Sequence, residues 1–202
     1  MQFIEFKEKM FDLGCFSNNQ VFLWRPGFER ANFVRWTKKG YIIKLRNGFY
    51  SFPEYLNVPG FDLYIANRIY SPSYISLHYV LNFYGIIPEG VSQITSISSL
   101  KTTRFENKFG TFTYQKMQSN LMFGYEEKKF GKWWIKFAEL EKAIVDLFYL
   151  YPFYNNESEI EELRFDRDML KIDINKLHHY VEKFKIKALE KRIKLMIKVY
   201  GL

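Results

Sequence analysis

The sequence predicts an α+β protein, and three observations carry the prediction. Three short helical signals precede Gly40 and run directly into a basic, alternating segment with an Asn-Gly turn. The middle of the chain is broken into strand-like runs punctuated by Gly and Asn. The segment from Glu157 onward is helical in character.

The first helix is read from Phe3, Phe6 or Lys7, Met10 and Leu13, which stand at helical spacing, with Gly14 as its stop. Ser17-Asn18-Asn19 are capping residues for a second helix, Gln20 to Trp24, which Pro26-Gly27 ends. The third helix spans Phe28 to Lys39 and is closed by Gly40. At 3.6 residues per turn, Phe28, Asn32, Phe33, Trp36 and Lys39 share one arc. Arg30, Ala31, Val34, Arg35, Thr37 and Lys38 share the opposite one. Ile43 and Leu45 then alternate with Lys44 and Arg46 at strand spacing, and Asn47-Gly48 returns the chain through Phe49 to Phe52. Three short helices and a basic two-stranded ribbon are the plan of a winged helix-turn-helix, assigned to residues 1–54.

Residues 56–60 read as a linker. Residues 61–202 read as a mixed α/β domain with a helical C-terminal end. Its expected elements begin with helices Phe61 to Tyr70 and Tyr74 to Tyr84, the second capped by Ser73. Strands follow at Gln93 to Ser98, Thr102 to Asn107, Thr111 to Met117, Leu121 to Tyr125 and Trp133 to Phe137. The helix Ala138 to Leu150 comes next. The acidic run 157–162 suits a helix N-terminus, and the basic segment 176–200 carries two separate apolar stripes.

The chain has 202 residues and a formal net charge of +8. That charge is concentrated. Residues 25–46 hold seven basic residues against one acid, and residues 176–202 hold eight against two. A basic helix fits the major groove of B-form DNA, where Arg and Lys read guanine edges and small apolar groups meet thymine methyls. Arg30, Val34, Thr37 and Lys38 are placed for that reading, and Lys44 and Arg46 for backbone phosphates. RNA or protein docking, or a merely solvated face, are the lesser readings of the same residues. The C-terminal island (Lys183, Lys185, Lys187, Lys191, Arg192, Lys194, Lys198) reads by default as a solvated helix face.

The chemistry-bearing residues give little support for catalysis. His78, His178 and His179 are too scattered for a metal site, and the lone Cys15 has no partner. No P-loop or dinucleotide fingerprint occurs. Glu141 and Asp146 lie about 140° apart on a helix, not on one face. Lys142 and Asp146 are expected to pair at i,i+4, and Glu141 to hold a local hydrogen bond. No catalytic residue, metal or cofactor is therefore expected. The charged start lacks a signal-peptide core, and Ile69 to Pro88 is too polar to cross a lipid bilayer. A soluble, cytoplasmic protein without a membrane partner is the expectation.

Three segments resemble the AbiEi family, the antitoxins of type IV toxin–antitoxin (abortive infection, phage defence) systems. Phe33-Val-Arg-Trp-Thr-Lys-Lys-Gly40 with residues 41–50 is similar to that family's recognition helix and wing. Ser73-Tyr-Ile-Ser-Leu-His-Tyr-Val-Leu81 with Tyr84-Gly85 is similar to its Tyr-Ile-Ser helix. Ala138-Glu-Leu-Glu-Lys-Ala-Ile-Val-Asp146 is similar to its Ala-x-x-Glu-Lys-Ala-x-x-Asp helix. The resemblance implies an autorepressor whose winged helix binds inverted repeats in double-stranded promoter DNA. It implies an antitoxin domain that counteracts a cognate nucleotidyltransferase toxin, with or without direct contact. By the motif match, Arg35, Lys38, Lys39, Lys44 and Arg46 take the DNA-contacting role, beside Arg30 and Thr37. Two rivals stand next to this reading. One is a stand-alone winged-helix transcription regulator with a partner- or ligand-sensing domain; the other is an RNA-binding or enzymatic body.

Overall fold

The computed structural model describes residues 2–88 and 90–202 of this α+β chain. Helix α1 (Phe3–Met10) buries Phe6 and Met10, tightens into a 3₁₀ turn over Phe11–Leu13 and stops at Gly14, whose φ of 66° suits glycine. Strand β1 (Cys15–Ser17) follows, which the sequence reading did not anticipate. It is three residues long with Cys15 and Phe16 both buried, so no alternation betrays it. Ser17 also caps α2 (Asn18–Trp24) in a capping box: its Oγ accepts from the Gln20 N–H, and the Gln20 side chain accepts from the Ser17 N–H. Helix α3 (Ala31–Lys38) starts later than expected, because Phe28, Asn32 and Phe33 close i+3 turns onto Arg25, Glu29 and Arg30 before α-helical bonding begins. Strands β2 (Ile43–Arg46) and β3 (Phe49–Ser51) form the expected hairpin around Asn47-Gly48. All three strands make one antiparallel sheet in the order β1-β3-β2.

The second sheet has six strands in the order β6-β7-β5-β4-β9-β8. After α4 (Phe61–Ile69) comes β4 (Ser73–Ile75), where a helix was expected. All three β4 residues are buried, antiparallel to β5 (Gln93–Ser98) on one side and touching β9 (Trp133–Ala138) in parallel on the other. A strand covered on both faces has no period-2 signature. Leu77, at a φ of 61°, then separates β4 from the shorter helix α5 (His78–Phe83). Strands β6 (Thr103–Asn107) and β7 (Gly110–Lys116) pair as expected. The next strand is shifted: β8 (Tyr125–Phe130) replaces Leu121 to Tyr125, and Leu121 is instead the buried last residue of a 3₁₀ turn. Glu126, Glu127, Lys128 and Lys129 hid β8, and such charges suit a sheet-edge strand.

Helices α6 (Leu140–Leu150), α7 (Glu157–Glu161), α8 (Ile174–Phe184) and α9 (Lys187–Tyr200) complete the chain. The two stripes of 176–200 are two helices, broken where Lys185 adopts a φ of 55°. Among the described residues no helix is long and apolar enough to cross a membrane.

One apolar cluster runs from Phe6 to Tyr200, so packing continues across the 54–61 boundary. At that seam Tyr55 stacks on Phe61 at 4.4 Å and Tyr64 on Trp133 at 4.2 Å. The Tyr64 hydroxyl donates to the Leu13 carbonyl, and Asn107 Nδ2 donates to the Leu45 carbonyl at 3.1 Å. The small sheet is thereby held against the large one.

Candidate nucleic-acid interface

Helix α3 is fixed in rotation by what it buries. Phe33 stacks nearly parallel on Tyr50 of β3 at 4.8 Å, and Trp36 packs on Phe6 of α1 at 4.6 Å. Asn32 is buried beside them. That anchoring turns Ala31, Val34, Arg35 and Lys38 to solvent, flanked by exposed Arg30 before the helix and Lys39 after it. Arg30 lies over the Phe22 ring, its guanidinium carbon 5.3 Å from the ring centroid, a cation–π contact. Arg35 Nη2 donates to Asn32 Oδ1 at 2.5 Å, leaving the other guanidinium donors facing outward. Lys39 sits over Tyr41 at 5.8 Å.

The strand register places Lys44. It lies directly across from Tyr50, whose ring meets α3, so Lys44 rises from the helix side of the sheet and is exposed there. Arg46 does not join it. The register shifts between Lys44 and Arg46, and this bulge breaks the alternation that the sequence suggests. Arg46 turns to the body instead. Its guanidinium carbon lies 4.7 Å from Phe49, 5.4 Å from Phe105 and 5.6 Å from Tyr70, with Nε buried. In place of the expected phosphate contact, an aromatic cage joins the β2–β3 hairpin to the body. Thr37 is corrected likewise: it is half-buried, its Oγ1 turned inward. Lys39, expected on the buried arc, is exposed because it lies just past the helix end.

The body concentrates its polar chemistry in two places. Lys142 and Asp146 on α6 pair at i,i+4 as expected, and both are wholly buried. Asp146 Oδ2 also accepts from Tyr74 at 2.9 Å and from Ser76 at 2.8 Å. The Lys142 ammonium meets Met117 Sδ at 3.8 Å and the rings of Phe123, Phe184 and Tyr74 at 4.9, 5.0 and 5.6 Å. Burial pushes the Asp146 carboxyl up and the Lys142 ammonium down, while each opposes the shift in the other. Two sequence segments far apart, Tyr74/Ser76 and Lys142/Asp146, therefore meet as an internal polar lock between sheet and helix. The Lys142–Asp146 half was legible from its spacing. The β4 half was hidden because that strand reads as a helix.

The second place is a cleft of about 420 Å³ beside α6 and α8. Lys176 bridges Glu139 Oε1 at 3.0 Å and Glu141 Oε2 at 3.4 Å, and Tyr180 donates to Glu139. Glu141 Oε1 accepts from the Asp173 N–H at 3.0 Å, a contact between helices where a local bond was expected. The Glu139 and Glu141 carboxylates are consumed by internal partners. Among the described residues no His, Cys, Asp and Glu gather as a metal site. Burial pushes the Cys15 thiol up to about 12, which suppresses the nucleophilic thiolate.

Four of the seven cations of the C-terminal island have partners within the chain. Lys194 pairs with Glu190 at 2.7 Å and Lys198 with Glu157 at 2.6 Å. Arg192 Nε donates to the Phe148 carbonyl at 3.1 Å, and Lys183 lies over Phe123 at 4.7 Å. These contacts favour its reading as a solvated face. No protein-family model matches the chain, and no curated protein matches it.

Proposed function

We propose that the protein is a DNA-binding autorepressor and the antitoxin of a type IV toxin–antitoxin operon. One observation carries the DNA-binding half. The elements run helix, strand, helix, helix, strand, strand, with sheet order β1-β3-β2, an order that supports the winged helix-turn-helix reading. On that scaffold the outward face of α3 and the helix side of β2 expose Arg30, Arg35, Lys38, Lys39 and Lys44. A helix held by Phe33 and Trp36 and presenting cations and small apolar groups suits entry into the major groove. Lys44 is placed for the flanking backbone, where contacts set register.

The antitoxin half rests on the resemblance in the Ser73–Leu81 and Ala138–Asp146 segments. Because Tyr74, Ser76, Lys142 and Asp146 are buried together, these residues bear on the fold of the body, and toxin contact falls to its outer surface.

The test has two arms. In a gel shift with the chain's own promoter, Arg35→Ala combined with Lys38→Ala abolishes the specific complex; retained binding refutes the helix assignment. Co-expression with the neighbouring nucleotidyltransferase restores growth; persistent toxicity refutes the antitoxin claim. The cleft bounded by Glu139, Glu141 and Lys176 favours one second reading, a regulator that senses a ligand in its body. That reading gains if filling the cleft changes operator affinity while co-expression gives no protection.

A further inference from the structure

We propose that Val34 is the specificity-determining residue of α3, reading the C5 methyl of a thymine near the centre of each DNA half-site. The inference rests on the DNA-binding reading above and names what that helix selects. Val34 is 59% exposed, on a helix whose opposite face is packed against Tyr50 and Phe6. A single exposed apolar side chain is ordinary on a protein surface; what distinguishes Val34 is its neighbours. Arg30 and Lys38 lie four residues to either side, and exposed Ala31 lies beside it at i−3.

The outward face is thus short and apolar in the middle and cationic at both ends. Short side chains let the backbone approach the groove floor, where the thymine methyl is the one apolar feature of a base edge. The spacing fixes the arrangement. Four residues rise about 6 Å along a helix, and successive base pairs rise about 3.4 Å. Arg30 and Lys38 then address pairs roughly two steps to either side of the thymine, and their donors suit guanine O6 and N7.

The test begins with the full chain selecting its preferred duplex from random-sequence DNA. Each thymine of that duplex is then replaced in turn by uracil, which removes only the methyl. The expected result is one thymine per half-site whose replacement weakens binding roughly fourfold, the fold-change for losing one buried methyl-sized group. That penalty vanishes in Val34→Ala and persists in Val34→Thr, which keeps a γ-methyl. An equal penalty in wild type and Val34→Ala overturns the assignment while leaving DNA reading intact. So does a Val34→Ala chain that loses self-association but keeps its discrimination, since Val34 then serves a protein contact. Absence of any salt-dependent duplex binding overturns the underlying DNA-binding reading itself.

Discussion

Substituting Asp146 by Ala tests how the body is held together. The carboxylate accepts from the Tyr74 hydroxyl at 2.9 Å and the Ser76 hydroxyl at 2.8 Å, and it neutralises Lys142. Its removal leaves an ammonium with no solvent access, facing only Met117 Sδ and aromatic rings. Breaking a buried pair on one side costs about 3–5 kcal/mol. For a chain of this length each kcal/mol lowers Tm by about 2–4 °C, so the variant melts roughly 6–20 °C lower. The double variant Lys142→Met with Asp146→Ala removes the stranded charge. It leaves only hydroxyl groups short of an acceptor, about 1–3 kcal/mol, and is therefore more stable than Asp146→Ala alone. Thermal unfolding followed by far-ultraviolet circular dichroism reads both. An Asp146→Ala chain within about 1 kcal/mol of wild type, or a double variant less stable than the single one, refutes the reasoning.

Four further predictions concern other parts of the molecule. Arg46→Ala loses three aromatic contacts, each worth about 0.5–1 kcal/mol, and lowers stability without changing the salt dependence of DNA binding. Lys44→Ala does the reverse, flattening the slope of log K against log salt by about 0.9; identical effects of the two contradict the bulge assignment. Cys15 in the native chain stays unreactive toward a thiol-specific disulfide reagent at pH 8 and reacts once the chain is unfolded; fast native labelling contradicts its burial. Burial and then the Glu139 carboxylate push the Tyr180 hydroxyl up to about 12 from 10. The raised folded value stabilises the fold fully below pH 10 and is lost as pH rises through 12. Tyr180→Phe therefore removes part of the alkaline unfolding between those limits, and an unchanged profile contradicts the Tyr180–Glu139 contact.

What the sequence made legible followed physical rules with strong local signatures. The Asn47-Gly48 turn, the anchors Phe33 and Trp36 and the Lys142–Asp146 spacing all declare themselves within a few residues. What stayed hidden depends on partners far along the chain. Strands β1 and β4 are short and buried, so the pairing that creates them, Cys15 with Ser51 and Tyr74 with Ile97, has no local trace. Strand β8 was masked by its own charges, tolerated because it lies at the sheet edge. At the candidate interface, exposure of Arg30, Arg35, Lys38 and Lys44 agrees with the helical and strand periods. Lys39, Arg46 and Thr37 depart from them. A bulge is a tertiary adjustment that period-2 alternation does not foresee, and the aromatic cage that receives Arg46 is built by Tyr70 and Phe105, distant in sequence. The resemblance placed the Tyr-Ile-Ser and Glu-Lys-Ala segments in order along the chain, and their meeting at Asp146 emerged only from the fold.

The most direct measurement of the central claim is the salt dependence of duplex binding. Five exposed cations on β2 and on or flanking α3, each neutralising one phosphate, give a slope of log K against log salt of about −4.5 per bound chain. Replacing Arg35 and Lys38 by Ala brings it to about −2.7. A slope near zero, or one that the double substitution leaves untouched, contradicts the account.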